Sequence, residues 1–251
     1  MVNIIKKELF YLSKMKNVKA CAIISISLTL ISIGMNCLYT YFLSDYTLDT
    51  VVNQCVSNSE SGFVEIFLSI TIAINICYEY ESGFIKNVSN NENNQKFSLL
   101  GKMIGNLIVV VAYIAIPIVV TLLYNLFTEA EFGNGQFLGQ YLLCSIVLYF
   151  AFACVLTALA MFLRKKSAVL TISLIYSLLG CSVIWMIVDN LVNAIFNTEF
   201  SLENYTPLGL TYEISYGIDN SLLVRSIIVG VIYIVLMSVI SKMLAKRSIY
   251  E

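Results

Sequence analysis

Histidine is absent from this 251-residue sequence. Catalytic triads that use histidine, the HExxH zinc helix and histidine proton relays are therefore excluded. Charged residues are also scarce, at 12% of the chain, whereas soluble domains carry about 25%. Such a deficit indicates a chain that lies in a lipid bilayer. Because no basic patch accompanies a nucleic-acid-reading element, nucleic-acid binding is not expected.

Cysteine does not provide a metal site or a disulfide framework. The seven cysteines are an odd number, and their spacing fits neither pattern. Cys55 lies in a polar segment. The others lie in apolar runs, where cysteine packs as a small hydrophobe: Cys21, Cys37, Cys77, Cys144, Cys154 and Cys181. No metal or cofactor is expected in this chain.

Long apolar runs dominate what remains. A helix of about 20 mostly apolar residues spans a bilayer, and six segments qualify. They cover approximately 20–43, 63–80, 103–127, 137–163, 168–188 and 222–244. The sequence therefore predicts an all-α membrane protein with six transmembrane helices in one domain, 1–251.

The basic residues predict the orientation. Every Lys and Arg except Arg225 falls before the first span, between spans two and three, between spans four and five, or at the inner end of the sixth and beyond it. The other three connections carry acidic residues instead. Since cytoplasmic loops are enriched in Lys and Arg, this alternation predicts a multi-pass protein with both termini in the cytoplasm.

The predicted spans lack the groups that ion-driven transport uses. Glu65 and Arg225 come closest, and both lie near the outer boundary of their spans. Ion coupling and proton relays require ionisable groups at depth, so neither is expected. A Walker A loop is also missing, because the Gly101–Lys102 pair is followed by Met and lacks the preceding glycine. Any ATP must be hydrolysed by another subunit.

Two segments outside the spans have helical patterns. Val2, Ile5, Leu9 and Leu12 recur at helical spacing beside lysines, which predicts an interfacial helix in the inner headgroup layer. A basic tail that only sets the orientation is the alternative. The outer connection 189–221 is long enough for a cap of short helices or for a mobile loop.

The inner connection 79–102 has an apolar edge formed by Phe84, Ile85 and Val88, followed by an Asn-rich break. A short amphipathic helix of this kind either lies on lipid or docks into a groove of a cytoplasmic partner.

These residues resemble those of ABC-2-type permeases, the membrane subunits of bacterial ABC exporters. That family often has an acidic residue and Gly-Thr-x-Lys-Asn after its second span, and a Gly-Lys pair opening its third. The matching residues here are Glu81, Gly83, Lys86, Asn87 and Gly101–Lys102. The chain departs from the family at Phe84, where Thr is usual, and at 90–95, where Asn-rich sequence replaces Pro-x-Ser-Arg.

The resemblance implies a set of partners and a coupling site. Two copies of a cytoplasmic ABC ATPase, which bind ATP and Mg²⁺, would work with this chain and a second permease, identical or paralogous. The implied ATPase-coupling residues are Glu81, Gly83, Phe84, Ile85, Lys86 and Asn87. A lesser second contact would be Arg164, Lys165, Lys166 and Ser167, although this turn alternatively serves only to set the orientation.

Compact six-span members of the family resemble permeases of lantibiotic immunity and export. The expected function is therefore the transport subunit, not itself an enzyme, of an exporter in the bacterial plasma membrane. Its expected cargo is an amphipathic peptide or antibiotic. The alternative is a membrane scaffold or sensor that recruits a cytoplasmic signalling protein without transport.

Overall fold

A computed structural model describes residues 2–42, 50–61, 63–81, 92–128, 130–178, 180–196 and 201–247, and this part of the chain is helical without any β-strand. The α-helices are α1 (Val2–Lys14), α2 (Lys16–Phe42), α3 (Val51–Ser61), α4 (Val64–Glu81), α5 (Glu92–Asn125), α6 (Gly135–Leu163), α7 (Lys166–Leu178), α8 (Gly180–Phe196), α9 (Pro207–Tyr216) and α10 (Asn220–Arg247). A 3₁₀ turn covers Glu203–Tyr205. The predicted all-α class is confirmed.

Four helices are long and apolar enough to cross a membrane. Their spanning stretches are Lys16–Tyr39, Leu99–Asn125, Gly135–Leu163 and Asn220–Ala245, at the places of the first, third, fourth and sixth predicted spans. Helices α3 and α4 pass the same test only as a pair, bent by 43°. By length and composition, the described residues thus contain four candidate spans, or five if the bent pair is counted as one.

The fifth predicted span, 168–188, falls on two helices. Helix α7 has 13 residues and α8 has 17, so neither alone reaches the length of a membrane-spanning helix. Six spans therefore remain a prediction.

Helix α6 forms the centre of the bundle. Its neighbours are α3, α4, α5, α7, α9 and α10, and 61% of its most apolar stretch is buried. Helix α10 approaches it closely at Gly230, where an added Cβ would lie 2.5 Å from Val147 Cγ1. Glycine suits this position because even the Cβ of alanine would clash with Val147 unless the two helices moved apart.

Polar side chains hold α3 inside the bundle. Asn58 is fully buried; its Oδ1 accepts a hydrogen bond from Ser32 Oγ (2.7 Å) and its Nδ2 donates to Thr121 Oγ1 (2.9 Å). Asn125 Nδ2 donates to Gln54 Oε1 at 3.2 Å. Since buried amides are costly unless hydrogen-bonded, this network fixes α3 against α2 and α5.

Candidate functional site

The candidate site lies at one end of the bundle, which we call the basic end. It comprises α1, the last turn of α4, the residues around Lys102 on α5, and the turn between α6 and α7. This end contains the described part of both predicted coupling segments. Of these residues, Gly83, Phe84, Ile85, Lys86 and Asn87 lie outside the described residues.

Glu81 contacts the turn predicted as the second coupling segment. Its Oε1 accepts a hydrogen bond from the backbone N–H of Lys166 at 3.0 Å. Lys166 is the first residue of α7, so the carboxylate caps an N–H group that has no partner within the helix. A negative charge is also favoured at a helix N-terminus. The two segments, which are 85 residues apart in sequence, are therefore joined.

Arg164 fixes the shape of the same turn. Its backbone is left-handed (φ 57°), and its N–H donates to Ala160 O at 2.9 Å, ending α6. The guanidinium carbon lies 5.9 Å from the centroid of the Tyr80 ring on α4, within reach of a cation–π contact. Lys165 and Ser167 are exposed, whereas Lys166 is half-buried. The turn thus packs on α4 and presents Lys165 and Ser167 outward.

A buried ion pair lies next to this turn. Lys102 Nζ is 2.6 Å from Glu79 Oε2, and the two residues are 4% and 8% exposed. Breaking such a pair costs far more than breaking a surface pair. The pair therefore joins the basic ends of α4 and α5. Lys102 belongs to the Gly-Lys motif and to the basic residues that predict the orientation, whereas no sequence pattern pointed to Glu79.

Helix α1 places a third ionisable group near this pair. Glu8 is 4% exposed, and its burial raises the pKa of its carboxyl, while Lys102 acts to lower it and Glu79 to raise it further. The Glu8 carboxyl therefore lies within electrostatic reach of the buried Lys102–Glu79 pair. An acidic residue among the lysines of an amphipathic helix is the sequence signal that marks Glu8.

Gly105 explains how α1 comes so close. A Cβ at this position would lie 3.2 Å from Leu12 Cδ1 and 4.0 Å from Glu8 Cβ, so α1 packs on the glycine-containing face of α5. The opposite side of α1 is exposed, with Phe10 at 65% and Lys6 and Lys7 accessible. Helix α1 is therefore docked on α5 through one face, while its exposed side carries both an aromatic residue and lysines; that it lies in the membrane interface stays a prediction.

Side-chain contacts therefore connect the elements of the basic end. Glu79 of α4 pairs with Lys102 of α5, Glu8 of α1 lies near this pair, and Glu81 and Tyr80 of α4 contact the turn between α6 and α7. No protein-family model matches this chain, and none of the curated proteins matches it in sequence.

Proposed function

We propose that this chain is the membrane-spanning permease subunit of an ATP-driven exporter of the ABC-2 type. It acts in a bacterial plasma membrane with both termini in the cytoplasm. It works with two copies of a cytoplasmic ABC ATPase, which supply the ATP and Mg²⁺ sites, and with a second permease, identical or paralogous. Its cargo is an amphipathic peptide or antibiotic.

The observation that carries this proposal is the hydrogen bond between Glu81 and the first turn of α7. It joins the start of the predicted coupling connection to the only other predicted contact for an ATPase. A partner that moves this junction acts on α4 and α7 together. The buried Glu79–Lys102 pair extends the movement to α5, because separating it would leave uncompensated charge in the interior.

A cavity supports the choice of cargo. It has a volume of about 540 Å³ and lies between α3 and α5. Its lining includes Val51, Val119, Leu122, Leu123, Leu126 and Phe132, together with the polar side chain of Asn125. Apolar walls with a few polar groups suit an amphipathic molecule.

The first test is affinity purification of the tagged chain from its native membrane. We expect a cytoplasmic ABC ATPase to accompany it in stoichiometric amount. A chain that brings down a kinase and no ATPase would support the scaffold or sensor instead.

A pair of variants then tests the contact itself. Phe84→Asp with Ile85→Asp should abolish ATPase association while leaving membrane insertion intact, because two charges replace the apolar edge that docks. The matched control is Tyr212→Asp with Tyr216→Asp, which places two charges on an exposed pair of α9 (62% and 75% exposed) away from the predicted contact. Equal ATPase association in the two double variants would contradict the predicted contact.

A further inference from the structure

A crevice lies between α9 and the first turns of α10. Its volume is about 580 Å³, within the range of about 300–1,000 Å³ that is typical of ligand pockets. The residues that line it include the charged side chains of Glu213, Asp219 and Arg225 and the aromatic side chain of Tyr216. A molecule in this crevice therefore meets charges of both signs.

An ion pair in the crevice leaves one atom of each partner without a hydrogen bond. Arg225 Nη2 donates to Glu213 Oε1 between the two helices. Arg225 Nε and Glu213 Oε2 have no hydrogen-bond partner in the part of the chain that the structure describes, although both atoms are buried. Such exceptions call for an explanation, for example a bound ligand or water. The two side chains are 31% and 39% exposed, so a molecule in the crevice can reach them.

The balance of charge in the crevice selects the kind of ligand. Arg225 is the only basic side chain among the described residues that line it, whereas Glu213 and Asp219 are two carboxylates. A purely anionic ligand would be repelled by the carboxylates, and a purely cationic one would leave Arg225 Nε without an acceptor. A zwitterionic ligand satisfies the donor and the acceptor together.

An exposed apolar face of α10 continues directly from Arg225. Ile228, Ile232, Val235 and Val239 follow it at spacings of three or four residues, so they share its side of the helix. Each of these four side chains is 49–56% exposed. The stretch Asn220–Ala245 is also long and apolar enough to cross a membrane. The mixed-charge crevice therefore lies at the end of a face that acyl chains can cover.

Two tyrosines next to the crevice indicate its depth. The Tyr212 and Tyr216 rings lie with their centroids 5.1 Å apart, and these residues are 62% and 75% exposed. Tyrosine is enriched at the level of the lipid headgroups, where its ring meets apolar chains and its hydroxyl meets water. This pair thus favours a crevice that opens at headgroup level.

We propose that the crevice binds the headgroup of a phospholipid that carries a primary amine, as phosphatidylethanolamine does. The phosphate accepts a hydrogen bond from Arg225 Nε, since guanidinium groups suit phosphate, and the ammonium donates to Glu213 Oε2 and Asp219. The acyl chains lie along the exposed face of α10. A quaternary ammonium has no N–H to donate, so a choline headgroup binds more weakly. This inference rests on the membrane-spanning character of α10 and not on the proposed function.

Native mass spectrometry of the purified full-length chain with dioleoyl lipids tests this proposal. We expect phosphatidylethanolamine to bind about tenfold more tightly than phosphatidylcholine, because the choline headgroup lacks the charge-assisted hydrogen bond to Glu213. Glu213→Gln should remove this preference, whereas Arg225→Gln should weaken the binding of both lipids. Glu131→Gln, which alters an exposed carboxyl elsewhere, should leave both affinities unchanged.

Photolabelling of the wild-type chain keeps the test decisive if a variant fails to fold. Phosphatidylethanolamine with a photoactivatable acyl chain should label α10 between residues 228 and 239, and unlabelled phosphatidylethanolamine should compete better than phosphatidylcholine. Four results would overturn the proposal: equal affinity for the two lipids, tightest binding of the anionic phosphatidylglycerol, a preference that survives Glu213→Gln, or labelling confined to other helices.

Discussion

Replacing Lys102 with methionine should destabilise the protein strongly. Methionine keeps the aliphatic stem of the lysine side chain but lacks the ammonium that pairs with Glu79 and that opposes the effect of burial on Glu8. Both glutamate residues are less than 10% exposed, so solvent cannot replace the lost partner. Removing one member of a buried ion pair typically costs about 3–5 kcal/mol.

Proton uptake sets an upper limit on this loss. Burial already raises the pKa of Glu8, and Lys102 is the leading charge that opposes the rise. Without Lys102, a carboxyl of the cluster can be neutralised instead of staying charged. Keeping an ordinary carboxyl protonated at pH 7 costs about 4 kcal/mol, at about 1.36 kcal/mol per pH unit. The free energy of unfolding of Lys102→Met should therefore be about 3–4 kcal/mol lower than that of the wild type at pH 7. The difference should become smaller as the pH falls.

The assay is equilibrium unfolding of the purified variants in a mixed micelle at pH 7 and pH 6. Lys102→Met combined with Glu79→Gln should recover much of the loss, because the double variant removes both charges of the pair. Lys165→Met is the control, since Lys165 is exposed at the same end and should change stability by less than about 0.5 kcal/mol. Equal stability of Lys102→Met and Lys165→Met would refute the reasoning.

Three further predictions concern other parts of the molecule. Gly230→Ala should lower the free energy of unfolding by about 1–3 kcal/mol because it overpacks the contact between α10 and α6. Gly139→Ala has open space at its Cβ and should raise it by about 0.5–1 kcal/mol. Equal unfolding midpoints of the two variants would contradict the close approach of α10 and α6. The Leu222 N–H donates a hydrogen bond to the Asp219 carboxylate at 2.6 Å, which lowers the pKa of that carboxyl below its ordinary 3.8. This cap should therefore stabilise the start of α10 above pH 3.8, and the stabilisation should be lost as the pH falls through the lowered pKa. Hydrogen exchange at Leu222 should then accelerate in acid, and equal rates in wild type and Asp219→Ala at neutral pH would argue against the cap. In a cysteine-free background, a membrane-impermeant maleimide added to whole cells should label Asp219→Cys and spare Lys165→Cys, and the reverse pattern would invert the predicted orientation.

Long apolar runs made much of the fold predictable. The first, third, fourth and sixth predicted spans coincide with α2, α5, α6 and α10, because a run of this length needs no tertiary information to be recognised. The fifth, 168–188, stays a prediction, because it is described as two helices on either side of residue 179, which lies outside the described residues.

Helix α3 was not predicted. Its sequence, VVNQCVSNSES, is too polar for a membrane span and was taken as part of an outer connection. Its burial depends on partners that are distant in sequence, such as Thr121, 63 residues away. Single-sequence patterns do not contain such pairings, so tertiary hydrogen bonds decided the structure of this segment.

The candidate site was predictable where its residues belong to local sequence patterns, and not where they meet through tertiary packing. Its predicted residues Glu81 and Arg164–Ser167 were found from a motif and a basic turn, each visible locally. The hydrogen bond between Glu81 and Lys166 depends on the packing of α4 against α7, and the Lys102–Glu79 pair depends on the packing of α4 against α5. Thr206 caps α9, which starts at Pro207, so the described part of the outer connection contains a short helix.

The polar character of α3 has a consequence for how the protein is made. Its amide side chains bond to α5, and its first backbone N–H groups, of Val51 and Val52, bond to the carbonyls of Glu131 and Phe132. None of these partners has been synthesised when α3 leaves the ribosome, and α3 is too polar to enter lipid alone. We expect α3 to stay outside the hydrocarbon layer during synthesis and to pack against α5 only after residue 132 has been translated. Assembly of this half of the bundle would then follow the insertion of α5, not the order of the chain.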